Sequence, residues 1–150
     1  MATTTGVFPC YENQFKVKVN NDFVGIADCE TFEVSFDNGV EEWTPFESEG
    51  WVRRLMTAKG VTISVSGKRN VGDAGNNFIA GLAFENGRDA EVDFQWEFAD
   101  KQTDAGHGTQ VTFTGAPINV TALGSGESTA VAPLEFEIMS NGKPTVTPAS

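Results

Sequence analysis

A mainly β domain, two packed antiparallel sheets in a sandwich or half-closed barrel with one short flanking α-helix, is what this sequence predicts, on three observations. Apolar and polar residues alternate with period two through at least six short segments. The composition is rich in strand and turn formers, with 12 Phe, 16 Gly and little Leu. Only one segment carries apolar residues at helical spacing. A length of 150 residues suits one domain with a real core.

The strands follow in order. In "FKVKV", Phe15, Val17 and Val19 share one face while Lys16 and Lys18 take the other. "TFEVSF" turns Phe32, Val34 and Phe36 one way, against Glu33 and Ser35. "VTISVSG" sets Val61, Ile63 and Val65 against Thr62, Ser64 and Ser66. "EVDFQWEF" is the cleanest, with Val92, Phe94, Trp96 and Phe98 inward and Glu91, Asp93, Gln95 and Glu97 outward. "QVTFTG", "INVTAL" and "LEFEIMS" read as three more, the last opposing Leu134, Phe136 and Ile138 to Glu135 and Glu137. Such alternation marks antiparallel sheets with one covered and one wet face.

The helix belongs to "DAGNNFIAGLAFENG", where Phe78, Ile79, Leu82 and Ala83 form an apolar stripe. Asp73 or Asn76 can cap its start, and Gly87 can take the left-handed position past its end. Gly81, inside the helix, is expected to allow close approach to a sheet. Two regions lack a pattern. "DNGVEEWTPFESEGWVRRLMTAKG", Asp37 to Gly60, reads as a long irregular connection carrying Trp43, Phe46 and Trp51. The tail "NGKPTVTPAS", residues 141–150, has two prolines and no core face. Long loops holding large aromatics are usually functional, and exposed aromatics point to a protein partner. The competing expectation is that the loop buries its tryptophans within its own subunit.

Chemistry is thin. Gly72, Gly75 and Gly81 follow a strand and open a helix, yet their spacing fits neither phosphate-binding glycine pattern. The single histidine, His107, lies in "DKQTDAGHG" with Asp100 and Asp104, without the spacing of a calcium loop, and reads as a turn. Glu91 with Asp93, and Glu135 with Glu137, sit roughly 7 Å apart by strand rise. That spacing arises on any wet strand face, so it does not single out a glycosidase pair. We expect no enzyme, no cofactor and no metal. The net charge of −11 argues against nucleic-acid or anionic-membrane binding, since the basic doublets Arg53-Arg54 and Lys68-Arg69 do not extend into a patch. No apolar run is long enough to span a membrane, and no secretion signal is read at the start, so Cys10 and Cys29 are expected as free intracellular thiols.

The segments "DNGVEEWTPFESEGWVRRLMTAKGVTISVSGKRNVGDAGNNFIAGLAFENG" and "VTFTGAPINVTALGSGESTAVAPLEFEIMSNGKPT" resemble the major tail tube proteins of long-tailed bacteriophages and related phage-derived tail-like particles. The resemblance spans most of Asp37 to Thr145, and its second segment is the more specific. It implies a single tail tube domain over residues 1–150. It further implies hexameric rings stacked into a hollow tube around a tape measure protein, ending at terminator and baseplate or tip proteins. The resemblance also implies that DNA passes through the channel during infection without specific binding, and that the protein belongs to the virion after assembly in the host cytoplasm. By this resemblance the helix 75–84 sits on the outer flank of the sandwich. The loop 37–60 is expected to reach a neighbouring subunit or the next ring, and the N-terminal arm, residues 1–13, and the C-terminal tail are further expected stacking elements.

Two sets of residues follow as expectations. Trp43, Phe46, Trp51, Arg53 and Arg54 are candidates for the subunit interface. Glu33, Glu91, Asp93, Glu97, Glu135 and Glu137 are candidates for an acidic channel wall that keeps DNA from sticking. The alternative is a carbohydrate-binding β-sandwich in which Trp43 and Trp51 stack on sugar rings.

Overall fold

A computed structural model of the chain describes residues 7–103 and 105–150. Residues 1–6 of the expected N-terminal arm, and Asp104 of the "DKQTDAGHG" turn, lie outside the described residues.

Eight strands form one antiparallel hydrogen-bonded sheet. They are β1 (Gln14–Val19), β2 (Asp22–Gly25), β3 (Cys29–Trp43), β4 (Arg53–Lys68), β5 (Glu91–Glu97), β6 (Gln110–Leu123), β7 (Pro133–Met139) and β8 (Thr145–Thr147). Their order is β2-β1-β5-β6-β7-β4-β3, with β8 added to β6. The expected two layers are two halves of this sheet, folded over on the long strand β6. The first half of β6 pairs with β5 and β8, and residues 118–123 pair with β7. Phe15 of β1 and Trp96 of β5 meet Phe32 of β3 edge-to-face at 5.2 and 5.6 Å between ring centroids, which closes the halves on each other.

The sequence reads β6 as two strands, "QVTFTG" and "INVTAL", with Ala116 and Pro117 left between them. Gly115 instead adopts φ +61° at a bulge, where the register shifts between Val92 and Phe94 on the facing strand. A bulge of this kind bends a strand and re-aims its side chains without ending the pairing. The Asp93 carboxylate accepts from the Gly115 N–H at 2.9 Å and holds the bend. The inward residues on both sides, Val111 and Phe113, then Ala116 and Ile118, are all buried.

The core is the one the alternation predicts. Phe94, Phe113, Phe136, Ile63, Leu134 and Ile138 are fully buried, joined by Val17, Val65, Val92 and Trp96. The helix α1 (Ala74–Gly81) adds Ile79 and Ala80 to this core from the side of β1, β2 and β6, and a 3-10 turn, Leu82–Phe84, continues it. Asp73 is the N-cap, accepting from the Asn76 N–H at 2.9 Å. Two glycine expectations need correction. Gly81 has open space around its missing side chain, whereas a Cβ on Gly75 would collide with the Gly25 carbonyl oxygen. The close approach therefore belongs to the first turn of the helix. Gly87 has φ +61° as expected, yet it opens a separate 3-10 turn, Gly87–Ala90, instead of capping α1.

The two regions read as irregular are not so. Asp37 to Gly60 is the outer part of the β3–β4 hairpin, paired from Asp37↔Gly60 to Trp43↔Arg53, with only residues 44–52 left as a tip. Both faces of this arm lack a core beneath them, so nothing imposes alternation on its sequence. The C-terminal tail contributes β8, which pairs with β6. Its last residue is tied down as well, with the Ser150 N–H donating to the His107 carbonyl at 2.9 Å. Pairing with a free strand edge needs backbone donors and acceptors, not an apolar pattern, so so short a strand leaves little trace in sequence.

Candidate assembly surfaces

The hairpin arm carries the first surface. Of the exposed large apolar side chains among the described residues, nearly half fall between Phe36 and Met56. Phe46 is fully exposed, Trp51 is 79% exposed and Trp43 43% exposed. The expectation that the loop folds back over its tryptophans does not hold. The tip is ordered by local bonds: Ser48 Oγ lies 2.8 Å from both the Pro45 and Trp51 carbonyls, and Glu49 takes a left-handed φ of +54° to close a 3-10 turn, Phe46–Ser48. Arg54 reaches across the arm to Glu42 at 2.8 Å, while Arg53 stands opposite Trp43 in register. An aromatic-tipped projection of this kind is a candidate interaction surface, because monomers rarely expose large contiguous apolar patches.

The acidic candidates do not share one face. Glu33, Glu135 and Glu137 lie on the outside of the half built from β3, β4 and β7. There Glu33 aligns with Ser64 and Ser64 with Glu137, and Ser66 aligns with Thr31 and Glu135. Glu91, Asp93 and Glu97 lie on the outside of the other half and point away from the shared core in the opposite direction. That second face also carries two lysines: Lys18 stands 3.8 Å from Asp93 and Lys16 sits opposite Gln95, while Glu97 accepts a hydrogen bond from the Gln110 amide at 2.8 Å. Period-two reading identifies the wet side of each strand but not the direction in which that side points after the sheet folds over.

The remaining polar residues have structural work. Asp100 accepts from the Thr109 N–H at 2.7 Å and from its hydroxyl at 2.8 Å, bracketing the "DKQTDAGHG" connection. Among the described residues no three His, Cys, Asp or Glu side chains converge as metal ligands, and no helix is long and apolar enough to cross a membrane. Asn76, read only as a possible cap, instead has a buried side chain that joins α1 to two neighbouring segments through four hydrogen bonds. An Asn in the first turn of an amphipathic helix, on the same face as Ile79 and Ala80, was the available signal.

Cys10 and Cys29 are both free. Burial, with Asp28 and then Asp73 nearby, pushes the Cys29 thiol up to about 12. Its neutral form is therefore favoured by folding. The associated stability is complete below the ordinary thiol value near 9 and is lost as pH rises from there towards 12. We expect iodoacetamide at pH 8 to label Cys10 in the native protein and Cys29 only after denaturation, read as one adduct against two by intact mass. Equal native labelling of both would show that Cys29 is not shielded.

No protein-family model matches this sequence, and no curated protein matches it. Solved structures do match in shape. A chain from the tail of an empty gene transfer agent particle, refined with C6 helical symmetry, superposes with a TM-score of 0.64 over 98% of this chain and 99% of its own, at 20% identity. The chain has a tail-tube-like fold. A chain of the sheath–tube complex of an extracellular contractile injection system (PVC) in its extended state gives 0.64 over 97% and 95%, at 13% identity. A chain of the six-fold symmetrised anti-feeding prophage baseplate gives 0.63 over 100% and 99%, at 10% identity. The likeness runs essentially end to end, so the hairpin arm and the C-terminal strand lie within the shared fold.

Proposed function

We propose that this chain is the structural subunit of a phage-type tail tube. Six copies form a ring, and rings stack into a hollow tube that conducts DNA into the host cell. The observation that carries this reading is the full-length match to a chain of a C6-symmetric tail. The aromatic-tipped arm adds the adhesive element that a stacking subunit needs. The role is structural and calls for no catalytic group. The partners that fit are further copies of the chain, a tape measure protein inside the tube, and terminator and baseplate or tip proteins at its ends. The protein resides in the virion after assembly in the host cytoplasm. The carbohydrate-binding alternative finds no support among the structural likenesses. Electron microscopy of the purified chain tests the proposal: six-fold rings or tubes are expected, and a protein that stays monomeric at high concentration and with its tail partners refutes it.

Within that reading, the face bearing Glu33, Glu135 and Glu137 is the better channel wall. Duplex DNA binds where Lys and Arg displace its counterions, and this trio stands among Ser and Thr with Lys68 already paired to Glu30 at 3.1 Å. Tubes of Glu135→Lys/Glu137→Lys are expected to assemble normally and to retain DNA at low salt. Glu91→Lys/Glu97→Lys tubes are not. DNA retention by the second variant instead of the first reverses the assignment.

A further inference from the structure

The chain carries both an apolar projection and an apolar groove, and they cannot meet within one molecule. The groove lies at the root of the hairpin, between Phe36, Lys59 and Val61 on one side and Lys143, Pro144 and Val146 on the other. Its volume is about 590 Å³, within the roughly 300–1,000 Å³ range of pockets that enclose a small ligand and ample for an aromatic ring. Phe36 and Val146, 61% and 55% exposed, leave its walls open to solvent. The groove is well built. The Val61 N–H donates to Ser140 Oγ at 2.9 Å and the Ser140 N–H returns to the Val61 carbonyl at 2.8 Å, fixing the β7–β8 turn against β4. The tip begins eight residues beyond Phe36, about 26 Å away at ordinary strand rise.

We propose that the tip of one copy's hairpin, led by Phe46, seats in this groove on a second copy. This rests on the tail-tube reading and goes further by naming both sides of one contact. Charge selects the occupant. The tip carries Glu47 and Glu49, neither of them in an ion pair among the described residues, on either side of Ser48. The groove carries Lys59 and Lys143, also without ion-pair partners among the described residues, in a chain that has only 10 Lys and Arg against 21 Asp and Glu. An acidic aromatic tip thus faces a basic apolar socket on an otherwise acidic surface, which steers association and fixes its register. The two patches differ, so the contact is heterologous: each copy gives a tip and receives one, and repetition closes a ring or continues a stack.

Charge exchange tests the pairing. Lys59→Glu/Lys143→Glu and Glu47→Lys/Glu49→Lys should each lower tube yield at least tenfold while keeping the native circular dichroism spectrum and melting transition. The chain carrying all four changes should recover tubes, since every reversed tip then meets a reversed socket. A second measurement does not depend on those variants: Phe46→Cys/Val146→Cys in a Cys10→Ser chain should cross-link between copies on oxidation of assembled tubes. If wild-type protein forms no rings or tubes, the tail-tube reading itself fails. If wild-type tubes form, but the four-fold variant recovers nothing or the cysteines do not cross-link, this pairing is wrong. In that case the groove belongs to another occupant, such as the N-terminal arm or a different tail protein.

Discussion

Trp51→Ala yields a folded, soluble monomer that no longer polymerises. The indole is 79% exposed in the single chain, so monomer stability should change by no more than about 0.5 kcal/mol. At an interface the same side chain has the character of an anchor. Truncating such a residue typically costs about 2 kcal/mol or more, and at about 1.4 kcal/mol per factor of ten that weakens each contact roughly 30-fold. A ring repeats the contact at every subunit, so the concentration needed for growth should rise by at least that factor. Sedimentation and negative-stain microscopy of wild type and variant at matched concentrations measure it. Tubes of normal length and yield from Trp51→Ala would remove the hairpin from the interface.

Asn76→Ala should lower stability by about 3–5 kcal/mol, a large part of the total for a domain of this size. The Asn76 carbonyl oxygen accepts from Arg69 Nη1 and the Asn70 N–H, both at 3.0 Å. Its amide donates to the Ala27 carbonyl at 3.2 Å and the Lys68 carbonyl at 2.9 Å. The side chain is almost wholly buried, and no buried side-chain polar atom among the described residues is left without a partner. Removing it orphans groups from the β2–β3 turn and from the segment joining β4 to α1, each costing about 1–3 kcal/mol when desolvated. The melting midpoint should fall by roughly 10–15 °C. Asn77→Ala, one residue on and exposed, is the control and should lose about 1 kcal/mol or less despite its own bonds to Arg69 and Val71. A melt of Asn76→Ala within 2 °C of wild type would show that water replaces these bonds at little cost.

The two variants separate what holds the subunit together from what joins subunits, and they differ in how visible they were beforehand. Val92, Phe94 and Trp96 could be assigned to the core from their alternation, because burial on one face of a strand forces period two on the residues themselves. The helix and its Asp73 cap were legible for the same kind of local reason. Trp43, Phe46 and Trp51 stood out as aromatics without a pattern, and all three are exposed. Their setting on a paired hairpin did not show, because an arm wet on both faces carries no alternation. Asn76 was read as a possible cap and proved to be a hub, since its partners come from segments up to 49 residues away.

Residue order was enough to establish the β class, the core faces, the single helix and the family likeness, all of which depend on neighbours along the chain. Folding alone could set β6 as one bent strand across both halves, bring Thr145–Thr147 onto its edge, and send Glu33, Glu135 and Glu137 away from Glu91, Asp93 and Glu97. Those outcomes depend on which distant backbone edges pair and how far the sheet turns at Gly115. No periodicity encodes a rotation between two layers: it marks the dry side of each strand and leaves open where that side will point.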